Sequence, residues 1–131
     1  MNEKTRFIQF WKTTAIDDLE AIDLLFKGKK YVQALFFAHL CLEKILKAHW
    51  VKDNLENVPP KTHNLIHILG KTQLDMTEED TDLLQSMNTF QIEGRYPDYL
   101  SYLQKSVKKE ETKKIIEQTE ILFACLLKKL P

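Results

Sequence analysis

The sequence contains few of the residues that interrupt or cross-link a helical chain. Among its 131 residues are three glycines, four prolines and two cysteines. Glycine and proline cost about 1 and about 3 kcal/mol inside a helix, so their few positions mark where helices end. Cys41 and Cys125 lie in apolar helical patterns without metal-ligating neighbours. We expect both to be buried free thiols and not a disulfide.

The chain also lacks an excess charge of either sign and a long apolar run. Nineteen basic residues balance nineteen acidic ones, so no long-range positive field attracts a nucleic-acid backbone, and any such binding must be local. The longest uncharged apolar stretch, residues 31–42, is shorter than the ~20 residues of a membrane-spanning helix. The first residues are charged and do not resemble a secretory leader. We therefore expect a soluble, cytoplasmic protein that does not enter membranes.

What the sequence does have is a recurrence of apolar residues at steps of three and four, which is typical of amphipathic α-helices. The predicted helices cover about residues 5–27, 30–52, 62–70 and 77–94, and a last one begins between residues 106 and 110. No strand-like alternation competes with them. The sequence therefore predicts an all-α bundle of four main helices and one short helix, in a single domain over residues 1–131.

The ends of these helices carry recognisable signals. Thr62 and Thr77 precede apolar-periodic segments and are predicted N-caps, because their hydroxyls can accept from the first free backbone N–H groups. Gly28, Gly70 and Gly94 each follow such a segment, where a left-handed C-terminal residue is common. We expect the three glycines to adopt that conformation.

Motifs for metal and cofactor chemistry are missing. A di-iron bundle would need Glu-x-x-His pairs that face the core, and there are none. His63 and His67 are four residues apart and could share a helix face, but no third ligand is apparent nearby. The glycines are scattered singly, so no phosphate-binding loop exists. We expect neither a metal nor a cofactor.

Two stretches resemble signatures of the HEPN family. One is Ala34-Leu-Phe-Phe-Ala-His-Leu-Cys-Leu-Glu-Lys-Ile-Leu-Lys-Ala48, and the other is Arg95-Tyr-Pro-Asp98, with Thr62-His63-Asn64-Leu65 between them. The resemblance spans about residues 5–130. It implies an antiparallel four-helix bundle with an additional short helix, often dimeric, that acts as a ribonuclease toxin, a nucleotide-binding domain or the partner of a minimal nucleotidyltransferase.

The ribonucleases of that family resemble one another in an Arg followed after four to six residues by a His, which supply a cation and a general acid or base. This chain departs from the pattern, because the positions after Arg95 hold Leu100, Ser101 and Tyr102, and Arg6 has no His at that spacing either. We interpret the chain as a binding or partner module and not as an active nuclease. A divergent ribonuclease that uses His39 or His63 is the enzymatic alternative.

The resemblance and the residue types together give ten candidate ligand-binding residues. They are Arg95, Tyr96, Asp98, Tyr99, Tyr102, Lys44, Lys47, His39, Glu43 and His63. An arginine flanked by tyrosines can hold a phosphate bidentately and stack on a base. In the structural alternative, Arg95 pairs with a carboxylate of the bundle and the tyrosines pack beneath the loop, while Glu43 and Lys47 form a surface pair.

The leading functional hypothesis is a non-enzymatic module that binds a nucleotide or nucleic-acid fragment, or docks on a nucleotidyltransferase in a system of the toxin–antitoxin kind. A third hypothesis is a purely structural homodimer. Phe36 and Leu40 share a helix face with Lys44 and Lys47, and two large apolar side chains on such a face are typical of a contact surface.

Overall fold

The computed structural model describes residues 2–131, and every regular element in that part of the chain is helical. The elements are α1 (Glu3–Lys27), α2 (Tyr31–Asp53), α3 (Leu65–Leu69), α4 (Glu78–Met87), a 3₁₀ turn (Asn88–Phe90), α5 (Pro97–Ser106) and α6 (Lys109–Lys128). The all-α class predicted from the periodicity is confirmed. The four-helix arrangement stays a prediction, since three of these helices are long and three are short.

The second helix is the centre of the fold. It contacts α1 along much of its length and also contacts α3, α4, α5 and α6. Its buried residues cover most of its circumference, from Val32 to Val51, because a helix surrounded by others must be apolar over a wide arc. The flanking helices bury narrower stripes, such as Ile8, Ala15 and Ile22 of α1. This arrangement leaves little of α2 in contact with solvent.

Two of the predicted helix caps can be compared with the structure. The side chain of Thr77 accepts from the backbone N–H of Asp80 at 3.1 Å, so the predicted cap of α4 is confirmed. The prediction for Thr62 is wrong. Asn64 is the N-cap of α3, and its side chain accepts from the N–H groups of Ile66 and His67. The Thr62 hydroxyl instead accepts from the N–H of Asn64, which shapes the turn before the helix.

The prediction that three glycines adopt the left-handed conformation is only partly correct. Gly28 and Gly70 have negative φ angles of −81° and −60°, and the left-handed residue after α1 is Lys29, with φ 61°. Gly94 does have a positive φ of 76°, but it does not close α4. That helix ends at Met87 and continues as the 3₁₀ turn, so Gly94 lies in the loop that leads to α5.

Two further predictions need correction. The helix α5 was not expected, because the predicted helices leave residues 95–105 between them. The structure has Pro97 in the first turn of α5, where the missing N–H removes no hydrogen bond. Cys41 is buried, and that burial raises the pKa of its thiol, but Cys125 is exposed, so the prediction that both are buried is wrong for Cys125.

Candidate functional site

Three polar residues lie one turn apart on α2 and are nearly excluded from solvent. His39, Glu43 and Lys47 follow one another at steps of four, so their side chains project from one face of the helix. All three are buried. Burying an ionisable group costs free energy unless the group is paired. The partners of these three side chains therefore show which contacts this face of α2 makes.

Glu43 binds a partner with each of its carboxylate oxygens. Its Oε2 accepts from the ammonium of Lys47 at 3.0 Å, and its Oε1 accepts from Nδ1 of His63 at 3.0 Å. The ammonium of Lys47 also lies 5.3 Å from the centroid of the Trp11 ring. The alternative that Glu43 and Lys47 form a surface pair is therefore wrong. The pair is buried, and Glu43 also binds His63 from the segment before α3.

His39 holds the same segment by its backbone. Its Nε2 donates to the carbonyl oxygen of His63 at 2.8 Å, while its Nδ1 is 3.9 Å from Glu43, too far for a hydrogen bond. Burial lowers the pKa of His39 despite the nearby Glu43 carboxylate, which favours the neutral ring. Since α2 holds both the ring and the carbonyl of His63, the half-exposed imidazole has a fixed position before α3.

Arg95 lies in the loop between the 3₁₀ turn and α5. Its Nε donates to the carbonyl oxygen of Gln91 at 3.2 Å, and its guanidinium carbon lies 4.7 Å from the centroid of the Tyr99 ring. The Tyr99 hydroxyl donates to the carbonyl of Thr89, so the ring is fixed beneath the guanidinium. No carboxylate within residues 2–131 forms an ion pair with Arg95, and its terminal nitrogens point to no protein acceptor there.

His63 and Arg95 line one surface cavity of about 210 Å³, although they are far apart in sequence. The Arg95 pocket, as we call it, is formed by His63, Asn64, Asn88, Gln91 and Arg95. The two sides are joined by Asn88, whose Oδ1 accepts from the N–H of Leu65 and whose Nδ2 donates to Oδ1 of Asn64. The structure thus brings a guanidinium and an imidazole to the same concave site.

The remaining candidate residues lie outside this pocket. Tyr96 is 83% exposed at the N-terminus of α5, and Asp98 is exposed in the first turn. Tyr102 lines a different cavity of about 150 Å³, between α5 and the start of α6. Lys44 pairs with Asp18 of α1 at 2.6 Å. Those four residues are therefore not gathered at the site that holds Arg95.

Sequence reasoning missed three residues that form the pocket. Asn64 belongs to the stretch that resembles the family, but it was not selected, and Asn88 and Gln91 carried no signal at all. They are uncharged amides in a segment expected to be helical up to Gly94. Because α4 ends at Met87, both residues lie beyond that helix and line the cavity that also contains His63.

The His63–His67 pair does not form the start of a metal site. The Nδ1 of His63 is engaged with Glu43, and His67 is exposed. Within the described residues, no cluster of three or more histidine, cysteine, aspartate or glutamate side chains could hold a metal ion. Every helix there is also too short or too polar to cross a lipid bilayer.

Comparison with known proteins identifies the fold. A family model described as HEPN domain matches residues 8–130. The chain belongs to the HEPN family. No curated protein and no solved structure matches it. Membership of the HEPN family suggests a function related to nucleotides or RNA.

Proposed function

We propose that this HEPN protein is a non-enzymatic module that binds a nucleotide or a nucleic-acid fragment through the Arg95 pocket. The observation that carries the proposal is the guanidinium of Arg95, which is stacked on Tyr99 and held at Nε. Its two terminal nitrogens remain available for a phosphate. A planar guanidinium that is already oriented loses little entropy when it forms two parallel hydrogen bonds.

The imidazole of His63 supplies the second contact. Because Glu43 accepts from its Nδ1, the Nε2 atom is the one left for a ligand. Arg95 and His63 then face the same anion from the two sides of the pocket.

The module is also proposed to act with a protein partner. In the family to which the chain belongs, dimers and nucleotidyltransferase partners are common, and a toxin–antitoxin system fits both. Phe36 and Leu40 support an interface on α2, since each is only half-buried and neither packs into the core cluster. Lys44 and Lys47 do not extend that surface, because both are paired within the chain.

Arg95→Lys tests the phosphate site. The lysine keeps the charge but loses the bidentate geometry, so affinity for a nucleoside monophosphate should fall about tenfold, the equivalent of ~1.5 kcal/mol for one charged hydrogen bond. Isothermal titration calorimetry measures the affinity, and thermal denaturation shows that the fold is retained. Arg6→Lys is the matched control, because Arg6 lies in α1 beside Phe7 and Phe10, away from the pocket.

Two results would contradict the proposal. One is a wild-type protein that binds no mono- or dinucleotide. The other is a melting temperature several degrees lower in Arg95→Lys with no change in affinity, which would assign Arg95 a structural role.

A divergent ribonuclease is the second candidate, and the Glu43–His63 pair favours it. A buried carboxylate that orients an imidazole through Nδ1 is the arrangement of a general base, with Nε2 as the acceptor of the proton. In that case a fluorogenic RNA is cleaved by the wild type and not by His63→Ala, while the variant still binds the RNA through Arg95, with reduced affinity. If the wild-type protein leaves RNA intact and still binds nucleotides, the non-enzymatic function stands.

A further inference from the structure

We propose that the cavity between α5 and the start of α6 is a second binding site, which takes a small uncharged apolar molecule about the size of one ring and thereby stabilises α5. The α5–α6 cavity, as we call it, has a volume of about 150 Å³ and lies apart from the Arg95 pocket. None of the described residues lines both. The proposal therefore does not depend on nucleotide binding at Arg95.

The floor of the α5–α6 cavity is apolar. Leu35 of α2 and Leu103 of α5 are 1% and 2% exposed, and Phe90, Val107 and Ile115 complete the apolar lining. In another protein, a cavity of about this volume with a similar lining stays dry and binds benzene, because apolar walls offer water no hydrogen-bond partners. The α5–α6 cavity accordingly has room for one ring.

The polar part of the lining favours an uncharged ligand. The hydroxyl of Ser106 donates to the carbonyl oxygen of Tyr102 at 2.8 Å, and that of Thr112 donates to the carbonyl oxygen of Lys108 at 2.7 Å. Lys108 and Glu111 add one charge of each sign, so an ion that either of them attracts is repelled by the other. An ion would also lose its hydration against the apolar floor.

The ligand would contact a helix that is weakly attached to the bundle. Leu103 is the one buried residue of α5, and an element with few buried apolar contacts opens locally at a low cost in free energy. A ring in the cavity contacts Leu103 together with Leu35 of α2 and Ile115 of α6. Because the cavity exists only while α5 is in place, binding stabilises the closed helix by mass action. The same helix carries Tyr99, whose ring lies beneath Arg95.

The first test adds benzene to the wild-type protein and follows the backbone amides by NMR. We expect saturable shifts with a Kd of about 1 mM or tighter, concentrated in residues 89–90 and 102–115. Benzoate has the same ring and a negative charge, so it should bind at least roughly tenfold more weakly.

Two substitutions in α6 locate the site. Ile115→Phe enlarges a side chain of the lining and should abolish the saturable benzene shifts. Ile121→Phe is the matched control, because Ile121 is 73% exposed and lies outside the cavity, and it should bind benzene as the wild type does.

The second test measures the stabilisation of α5 by hydrogen exchange. At a benzene concentration about nine times the Kd, amides of α5 that exchange by local opening should slow about tenfold, since the factor is one plus the ratio of ligand concentration to Kd. In Ile115→Phe, benzene should leave these rates unchanged.

Several results would overturn the proposal. Benzene shifts that do not saturate and spread over the surface would mean non-specific partitioning, and equal affinity for benzoate would mean that the site accepts charge. Shifts of the cavity residues with protein concentration alone would assign the cavity to a side chain of a second copy. Saturable binding without slower exchange would show that the ligand does not stabilise α5. Because benzene and benzoate are compared on the wild type, a variant that does not fold leaves the test intact.

Discussion

Glu43 lies among the buried side chains of α2, yet each of its carboxylate oxygens has a partner. A neutral substitution there would leave the ammonium of Lys47 buried without a counter-charge, which costs about 3–5 kcal/mol in comparable cases. The same carboxylate positions His63 at the pocket. Stability and the geometry of the site therefore depend on one residue.

The spacing of His39, Glu43 and Lys47 predicts that they share a helix face, and the sequence analysis used it for Glu43 and Lys47. It could not predict that this face is buried. Burial depends on the path of residues 54–64, a segment with two prolines and no periodicity. The partnership between Glu43 and His63 is set by that path, so it was available only from the structure.

The two buried histidines of α2 predict how stability depends on pH. His49 donates from Nε2 to the carbonyl of Leu126 in α6 at 2.8 Å, and burial lowers its pKa as it does that of His39. Below the ordinary histidine value of 6.5, the unfolded chain binds protons that the folded chain does not. The free energy of unfolding should therefore fall as the pH drops from about 6.5 to 5, by up to ~1.4 kcal/mol per pH unit for each histidine.

Urea denaturation at a series of pH values measures this slope. In His49→Gln, whose amide can replace the Nε2 donor, the slope between pH 6.5 and 5 should be smaller by the contribution of one histidine. At pH values well above 7, both histidines are unprotonated in the folded and in the unfolded chain. Their contribution to the pH dependence of the free energy of unfolding should therefore vanish there. An identical slope in the variant and the wild type would show that His49 is not held neutral by burial.

At the scale of elements, the sequence predicted the helices whose apolar stripes face the core. The segments for α1, α2 and α6 were located to within a few residues, because burial against several neighbours imposes the 3.6-residue period. The helix α5 was missed. It buries only Leu103, and a helix with one buried residue has too little periodicity to be recognised. The pocket depends on that helix for Tyr99, so its chemistry was harder to predict than the fold.

The hairpin of α1 and α2 is closed by a lysine. The ammonium of Lys4 donates to the carbonyl oxygens of Val51 and Asn54 at 2.7 Å each and of Glu56 at 3.2 Å. It thereby caps the C-terminus of α2, where the last carbonyls have no partner within the helix and carry partial negative charge.

Lys4→Met should destabilise the protein by about 1.5–3 kcal/mol, because it keeps the aliphatic stem and removes charged hydrogen bonds to three carbonyls. Guanidinium chloride denaturation measures the change. The control is Lys12→Met, in the same helix, since Lys12 forms no ion pair or hydrogen bond to a described side chain. Equal stability of the two variants would mean that water replaces the ammonium at the end of α2 without cost.

At the scale of the molecule, the surface of α2 near Phe36 and Leu40 is the basis for a predicted homodimer. Phe36 packs edge-on against Phe37, with ring centroids 6.0 Å apart, and lies outside the core cluster. If this surface is self-complementary, Phe36→Asp places a charge in a symmetric interface twice and should produce monomers. Static light scattering across micromolar concentrations measures the mass.

Phe10→Asp is the control for that substitution, because Phe10 is a more exposed aromatic residue on α1. The wild type and Phe10→Asp should have the mass of a dimer, and Phe36→Asp that of a single chain. A wild type that is monomeric at all concentrations would remove the proposed interface, whereas loss of the dimer in Phe10→Asp alone would move it to α1.

The two sides of the Arg95 pocket come from chain segments that flank α3 and α4. His63 and Asn64 precede these helices, while Asn88, Gln91 and Arg95 follow them. A ligand that contacts both sides links the two ends of the intervening segment, as a reversible cross-link would. Any local unfolding of that segment that separates its ends must then first release the ligand. Backbone amide hydrogens in α3 and α4 should then exchange with solvent more slowly in the complex, although neither helix touches the ligand. By the same linkage, any substitution that loosens α4 weakens binding at a distance.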